Sequence, residues 1–314
     1  MNTTSTRSAQ TDLDLLDVDL PDWFVRALQI PRREDFVDVA GTRIHYFQWG
    51  DPTLPGVVMT HGFMAHARCW AFIAPFLAAR YSVVAFDLSG MGDSGWRTRY
   101  DTEVRAEECM AVAIHAGLTA QGRRPALVCH SYGGGIGLAA VERQPDFWSQ
   151  MIVCDMTMLA PGETSQFEEQ RRQQQNRGVR PHKVAADLAQ VFARFRLAPE
   201  QPCANTFLLH YMAVHSVKAV DGGYVWKFDP AIFGPDPGRD PEWWQSIAPR
   251  FTQLSIPAAV IYGEHSAMLS ERVLAYLSDA QVPLVKITDA HHHIMLDQPL
   301  ALIAAIESLL QTLS

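Results

Sequence analysis

Residues 127–135 read Leu-Val-Cys-His-Ser-Tyr-Gly-Gly-Gly. A short apolar run leads straight into a serine and then glycines, as when a strand turns sharply into a helix and leaves one side chain standing at the bend. A nucleophilic serine needs such a bend, because the strained turn exposes its hydroxyl and leaves room nearby only for small residues. In the G-x-S-x-G pattern the first glycine would fall at Cys129, and cysteine is small enough to take that place. The competing explanation is a glycine-rich helix start with an incidental serine at Ser131.

A serine hydroxyl is a weak nucleophile until a base takes its proton, and histidine suits that task. Three consecutive histidines, His291, His292 and His293, follow the last strand-like run. A metal cluster would also explain them. Adjacent residues rarely point the same way, however, and no carboxylate or cysteine stands at ligand spacing, so no metal and no cofactor is expected. Other polar residues also come directly after strand-like runs: His61 and Gly62, Asp155, and Glu264 with Ser266.

Those runs must be arranged so that their ends meet. Residues 36–39 and 43–49 read as a hairpin joined by Ala40-Gly41-Thr42, after a short amphipathic helix over 21–28. Residues 56–60 are apolar throughout, as a strand covered on both faces requires. From there helices over 70–79, 102–118 and 134–143 alternate with strands over 82–86, 126–129 and 150–154. The alternation resumes with strands 258–262 and 284–288 and helices 271–277 and 300–313. Repeated strand–helix units specify a mostly parallel sheet of about eight strands flanked by helices, an α/β fold. In such sheets ligands sit at the carboxyl ends of the strands, which is where Ser131, the histidines and the acids fall.

Between 161 and 249 the alternation stops. Helical segments over 184–195 and 206–217 and the aromatics Tyr211 and Trp226 mark an inserted helical cap, and Gln170–Gln175 reads as a solvated helix face. The expected organisation is an extension over 1–35, a core over 36–160 and 250–314, and a cap over 161–249. His66, His210, His215, Tyr211 and Trp226 are candidates to line a pocket, each with a plainer explanation as a packed or surface residue.

With 314 residues, 48% of them hydrophobic, the chain can bury a large core. Its formal charge of −8 argues against nucleic acid or an anionic membrane as partner. A small-molecule substrate is expected instead, with a second copy of the chain left open as a partner. No apolar run reaches the ~20 residues that span a bilayer. The first residues lack the apolar stretch of a secretory signal, and five scattered cysteines suit a reduced, cytoplasmic setting.

Four motifs, in order, carry a resemblance to the α/β-hydrolase superfamily. They are His61-Gly62-Phe63, Asp87–Ser94 (DLSGMGDS), the bend at Ser131, and His292–Pro299 (HHIMLDQP). The resemblance spans most of residues 36–314 and implies that fold with a cap. It selects His292 as base, since the family's histidine precedes an acidic residue and proline at the spacing of Asp297 and Pro299. It also implies an oxyanion hole formed by the backbone amides of Phe63 and Tyr132, and a structural turn at Asp87–Ser94 fixed by Asp87 and Asp93.

The chain departs from the family at the acid. Relatives most often carry aspartate in a G-x-x-D segment after the strand beyond the cap, and there this sequence has Ser266. Some members supply the acid after the preceding core strand, which makes Asp155 the first choice and Glu264 the alternative. The implied activity is a serine hydrolase that cleaves an ester, thioester or lactone of a small to medium apolar substrate through an acyl-enzyme on Ser131. Serine instead of aspartate as nucleophile argues against epoxide hydrolase and haloalkane dehalogenase chemistry. Alternatives are a hydrolase of carbon–carbon bonds in ring-cleavage products, a cofactor-free haloperoxidase-like perhydrolase, and a non-catalytic ligand-binding member of the fold.

Overall fold

The structure, a computed structural model, describes residues 19–164, 181–234 and 243–313. The glutamine-rich stretch 170–175 and most of the polar leader therefore lie outside the described residues.

The strands, in chain order, are β1 (Arg33–Val39), β2 (Thr42–Trp49), β3 (Gly56–Thr60), β4 (Ser82–Phe86) and β5 (Ala126–His130). They continue with β6 (Met151–Cys154), β7 (Val217–Val220), β8 (Gly223–Trp226), β9 (Ala258–Gly263) and β10 (Leu284–Ile287). Among the described residues, eight of them form one sheet in the order β1-β2-β4-β3-β5-β6-β9-β10. β2 runs antiparallel to β1 and β4, and every other neighbouring pair is parallel. β3, β4, β5 and β6 are buried at every position, which is why they read as unbroken apolar runs. β1 carries Arg33, Glu34, Asp35 and Asp38, charges that suit a sheet edge.

Alternate residues of the strands feed two cores. Val57, Met59, Val83, Val128 and Ile152 face the helices Asp22–Gln29 and Pro299–Thr312, while Val58, Val84, Leu127 and Val153 face Thr102–His115 and Tyr132–Arg143. Each such side chain contributes roughly 1.5–3 kcal/mol by leaving water.

The structure departs from the expected elements in four places. The helix expected over 70–79 is two short pieces, Ala67–Trp70 and Ala74–Leu77. Pro75 has no N–H to give and clashes with a preceding helical turn, so it sits at the start of the second piece. The turn between β1 and β2 has two residues, Ala40 and Gly41, and Thr42 pairs with Val39. The helix expected over 184–195 is shorter, Leu188–Arg194, because Ala185 bridges to Tyr224 in extended backbone. The helix expected to reach 217 ends at His215 and is followed by the β7–β8 hairpin, so the segment between β6 and β9 is not purely helical.

That segment is stitched to the core on two sides. Tyr100 donates to Asp229 at 2.7 Å and Lys227 pairs with Asp93 at 2.7 Å. On the other side Asn205 donates to the carbonyl of Leu296 at 2.7 Å, and Gln201 accepts the His293 N–H at 2.8 Å. The N-terminal helix braces it as well: Phe24, fully buried, meets Phe207 at 5.2 Å and Tyr211 at 5.4 Å between ring centres.

Candidate active site

Ser131 ends β5 and starts the helix Tyr132–Arg143 with φ 52° and ψ −121°. A residue with a side chain occupies such backbone at a cost of order 1–3 kcal/mol, so the surroundings must hold it. They do so through the Ser131 N–H, which donates to the Cys154 carbonyl at 3.0 Å, and the Ser131 carbonyl, which accepts from Gly134 at 2.8 Å. The cysteine at position 129 is accommodated from the helix: a Cβ at Gly137 would come 2.5 Å from its sulfur. Burial pushes the Cys129 thiol up to about 12, so it packs without being a nucleophile.

His292 Nδ1 lies 2.7 Å from Asp155 Oδ2, and Nε2 lies 2.9 Å from Ser131 Oγ. A carboxylate only accepts, so the Nδ1 proton points at Asp155 and the Nε2 lone pair faces the serine hydroxyl. Asp155 is fully buried and His292 nearly so, an environment in which each of these contacts is stronger than in water. Asp155 also accepts the Gly263 N–H at 3.2 Å and the Ser266 hydroxyl at 2.5 Å. Glu264, the alternative acid, is exposed and bonded at 2.9 Å to Lys286, which together with the Asp289 N–H holds its carboxyl below the usual range. Ser131, His292 and Asp155 are thus brought together, and Glu264 is turned away from them.

The neighbouring histidines divide cleanly. His291 turns to Asp297, giving its backbone N–H at 2.7 Å. His130 donates Nε2–H to the His292 carbonyl at 3.0 Å, its ring 4.9 Å from that of His292. Burial holds His130 well below the ordinary histidine range, and holds His293 down to about 3. Both stay neutral near pH 7, so neither repels a proton arriving on His292. His61 donates Nδ1–H to the Gly62 carbonyl at 2.7 Å and accepts the Leu88 N–H on Nε2 at 3.0 Å. It ties two loops together.

The loop carrying Phe63 lies against the bend. A Cβ on Gly62 would stand 3.0 Å from His130 Nδ1 and 3.3 Å from Ser131 Cβ, so a larger residue would press on both side chains. The rings of Phe63 and Tyr132 are 5.3 Å apart. The Tyr132 hydroxyl is bonded by the buried Arg105 guanidinium, which also donates to the Ser89 carbonyl at 2.8 Å. Arg105 was not singled out from sequence. Its signal was there, a cation among Thr102, Ala106, Cys109, Val112 and Ala113 on the buried face of one helix.

Asp87 accepts from the backbone of Ala67 at 2.6 Å and Asp93 at 2.8 Å, and meets His45 Nδ1 at 2.7 Å, so this turn is structural. His45, Asp87 and Asp93 could in principle surround a metal ion, but carboxylates already take both ring nitrogens of His45. The candidate pocket residues have other surroundings. Tyr211 is fully buried against Phe24 and Phe72, His66 bonds Ser216, His210 stacks on Phe192, Trp226 lies near Phe195, and His215 lies against Tyr211. A cleft is lined instead by Phe63, His130, Leu197, Met212, His293 and Leu296, among others.

Residues 57–306 match the sequence profile of the alpha/beta hydrolase family. The chain belongs to that family. The chain is 29% identical over 253 residues to a monoacylglycerol lipase of Mycolicibacterium smegmatis, covering 74% of this chain and 79% of the lipase. An uncharacterised hydrolase of Bacillus subtilis is 28% identical over 118 residues, 37% of this chain and 41% of that protein. Alignments of that kind span less than half of the curated relative. Among solved structures, a thioesterase domain from the curacin biosynthetic pathway superposes with a TM-score of 0.73 at 23% identity, over 88% of this chain and 99% of that one. No helix among the described residues is long and apolar enough to cross a membrane.

Proposed function

We propose that this hydrolase cleaves an ester, thioester or lactone of a small to medium apolar substrate through an acyl-enzyme on Ser131. The observation that carries the reading is the unbroken relay from Ser131 Oγ to His292 Nε2 at 2.9 Å and from His292 Nδ1 to Asp155 at 2.7 Å. Ser131 attacks the carbonyl carbon while His292 takes its proton, and Asp155 steadies the resulting imidazolium. The negative oxygen rests on the amides of Phe63 and Tyr132, a preorganised pair of donors whose loss, one at a time, typically costs about 3 kcal/mol. His292 then protonates the leaving group, and a water deprotonated by the same histidine splits the acyl-enzyme to release the acid.

A largely apolar substrate agrees with the cleft, whose histidines burial keeps neutral and whose walls include Phe63, Leu197, Met212 and Leu296, with Arg196 as a cation beside them. The similar monoacylglycerol lipase acts by name on an ester, carbonyl chemistry of the same kind. The net charge of −8 favours a small molecule over nucleic acid as the partner. The test is a fluorophosphonate probe followed by intact mass: the wild-type chain gains one adduct and Ser131→Ala gains none. Undiminished labelling of Ser131→Ala would move the nucleophile elsewhere. Turnover of nitrophenyl esters of graded chain length, set beside a ring-cleavage dienoate, separates ester from carbon–carbon hydrolysis.

A further inference from the structure

Asp155 reaches His292 from an unusual position. Its backbone has φ 52°, and its carboxylate hangs on a terminal torsion that is soft by nature. What holds the carboxylate flat against His292 must therefore come from its hydrogen bonds. Oδ1 receives the Gly263 N–H at 3.2 Å, a long contact. Oδ2 is shared by His292 Nδ1 at 2.7 Å and Ser266 Oγ at 2.5 Å.

The carboxylate has no proton to give, so the Ser266 hydroxyl donates to Asp155, and its oxygen in turn accepts the Met268 N–H at 3.1 Å. Position 266 is itself fixed against the loop that carries His292. The Ser266 N–H closes a turn on the Gly263 carbonyl at 3.1 Å, Glu264 N–H donates to Ile287 at 2.9 Å, and His265 N–H donates to Ala290 at 2.8 Å. Ser266 thus stands with its hydroxyl on Asp155, the acid that follows β6.

Building on the reading of Ser131, His292 and Asp155 as the reacting groups, we propose that Ser266 is a positioning residue: its hydroxyl fixes Asp155 Oδ2 against His292 Nδ1. Without it the carboxylate keeps the long Gly263 contact and is free to rotate, so His292 loses its fixed tautomer and aim. A hydrogen bond to a charged group is worth enough to change a rate about 10- to 100-fold.

The experiment measures ester turnover for Ser266→Ala, Ser266→Thr, Ser266→Val, Asp155→Asn and the double variant Ser266→Ala/Asp155→Asn, with melting curves for each. Ser266→Ala is expected to lower kcat about 10- to 100-fold with KM little changed. Ser266→Thr, which keeps the hydroxyl, recovers most of the rate, and Ser266→Val, its isostere without the hydroxyl, does not. The double variant loses no more than Asp155→Asn alone, because both changes act through one carboxylate. If Ser266→Ala fails to fold, the Thr and Val pair asks the same question. Equal rates for Thr and Val, or losses that multiply in the double variant, would overturn the role of Ser266 and leave the triad standing. Full activity in Asp155→Asn would instead remove the triad reading, and this proposal with it.

Discussion

Among the described residues, two buried histidine–aspartate pairs each set a ring nitrogen 2.7 Å from a carboxylate oxygen: His45 with Asp87, and His292 with Asp155. What separates them is the second ring nitrogen. In His45 it meets another carboxylate, Glu34, at 3.0 Å. Both nitrogens then carry protons, and the ring is held as a cation. In His292 the second nitrogen meets the hydroxyl of Ser131 at 2.9 Å, an atom that can give up a proton. Burial alone would lower the His45 pKa, yet the bonds to Asp87 and Glu34 outweigh it and raise it to about 9. The same pair is therefore locked as a cation or left facing a hydroxyl according to what stands on its far side.

Breaking the pair at His292 acts on rate. Asp155→Asn is expected to lower kcat on the order of 10⁴-fold through loss of the tautomer, as steady-state kinetics would show, with the melting temperature moved far less than the rate. Wild-type turnover in that variant would put the pair on the same footing as His45. Breaking the other pair acts on stability. His45→Ala strands Asp87 and Glu34 without their cation and is expected to cost about 3–5 kcal/mol in denaturant titrations. The fraction still folded should hydrolyse at close to the wild-type rate, and a rate lost in step with Asp155→Asn would erase the distinction.

A subtler effect follows pH. The His45 pKa is raised on folding, so its contribution is complete below pH ~6.5 and fades as pH rises through about 9. The gap in melting temperature between wild type and His45→Ala should therefore narrow from pH 6.5 to 9.5; a constant gap would mean that the ring is not held as a cation. Smallest of all is Glu264→Gln, which removes an exposed ion pair with Lys286. It should leave kcat within about twofold and the melting temperature little changed, and a large fall in kcat would return the acid to Glu264.

Much of this was legible in the residues because it rests on patterns that one stretch of chain carries alone. The apolar runs of β3, β4 and β5, the bend at Ser131 and the alternation of strand and helix depend on local burial and local backbone. Rules of sheet topology then bring Ser131, Asp155 and His292 to one edge. What could not be read depends on partners far apart in sequence. Ser266 sits 111 positions from Asp155, and Arg105 shows its purpose only once Tyr132 is beside it. The break at Ala67–Leu77 turns on Pro75 alone, one residue in a largely apolar run. The β7–β8 hairpin leaves little trace because its residues, mostly exposed in β7 and half-buried in β8, show no alternation of buried and open positions.

β6 and β9 are neighbours in the sheet, paired from Met151↔Ala258 to Cys154↔Ile261, although the whole inserted segment lies between them. The chain leaves and returns at one spot, and the bonds from Asp155 to Gly263 and Ser266 close that gateway. An excursion clasped at both ends can vary in length without moving the strands that it leaves and rejoins. The clasp makes the inserted segment an exchangeable part.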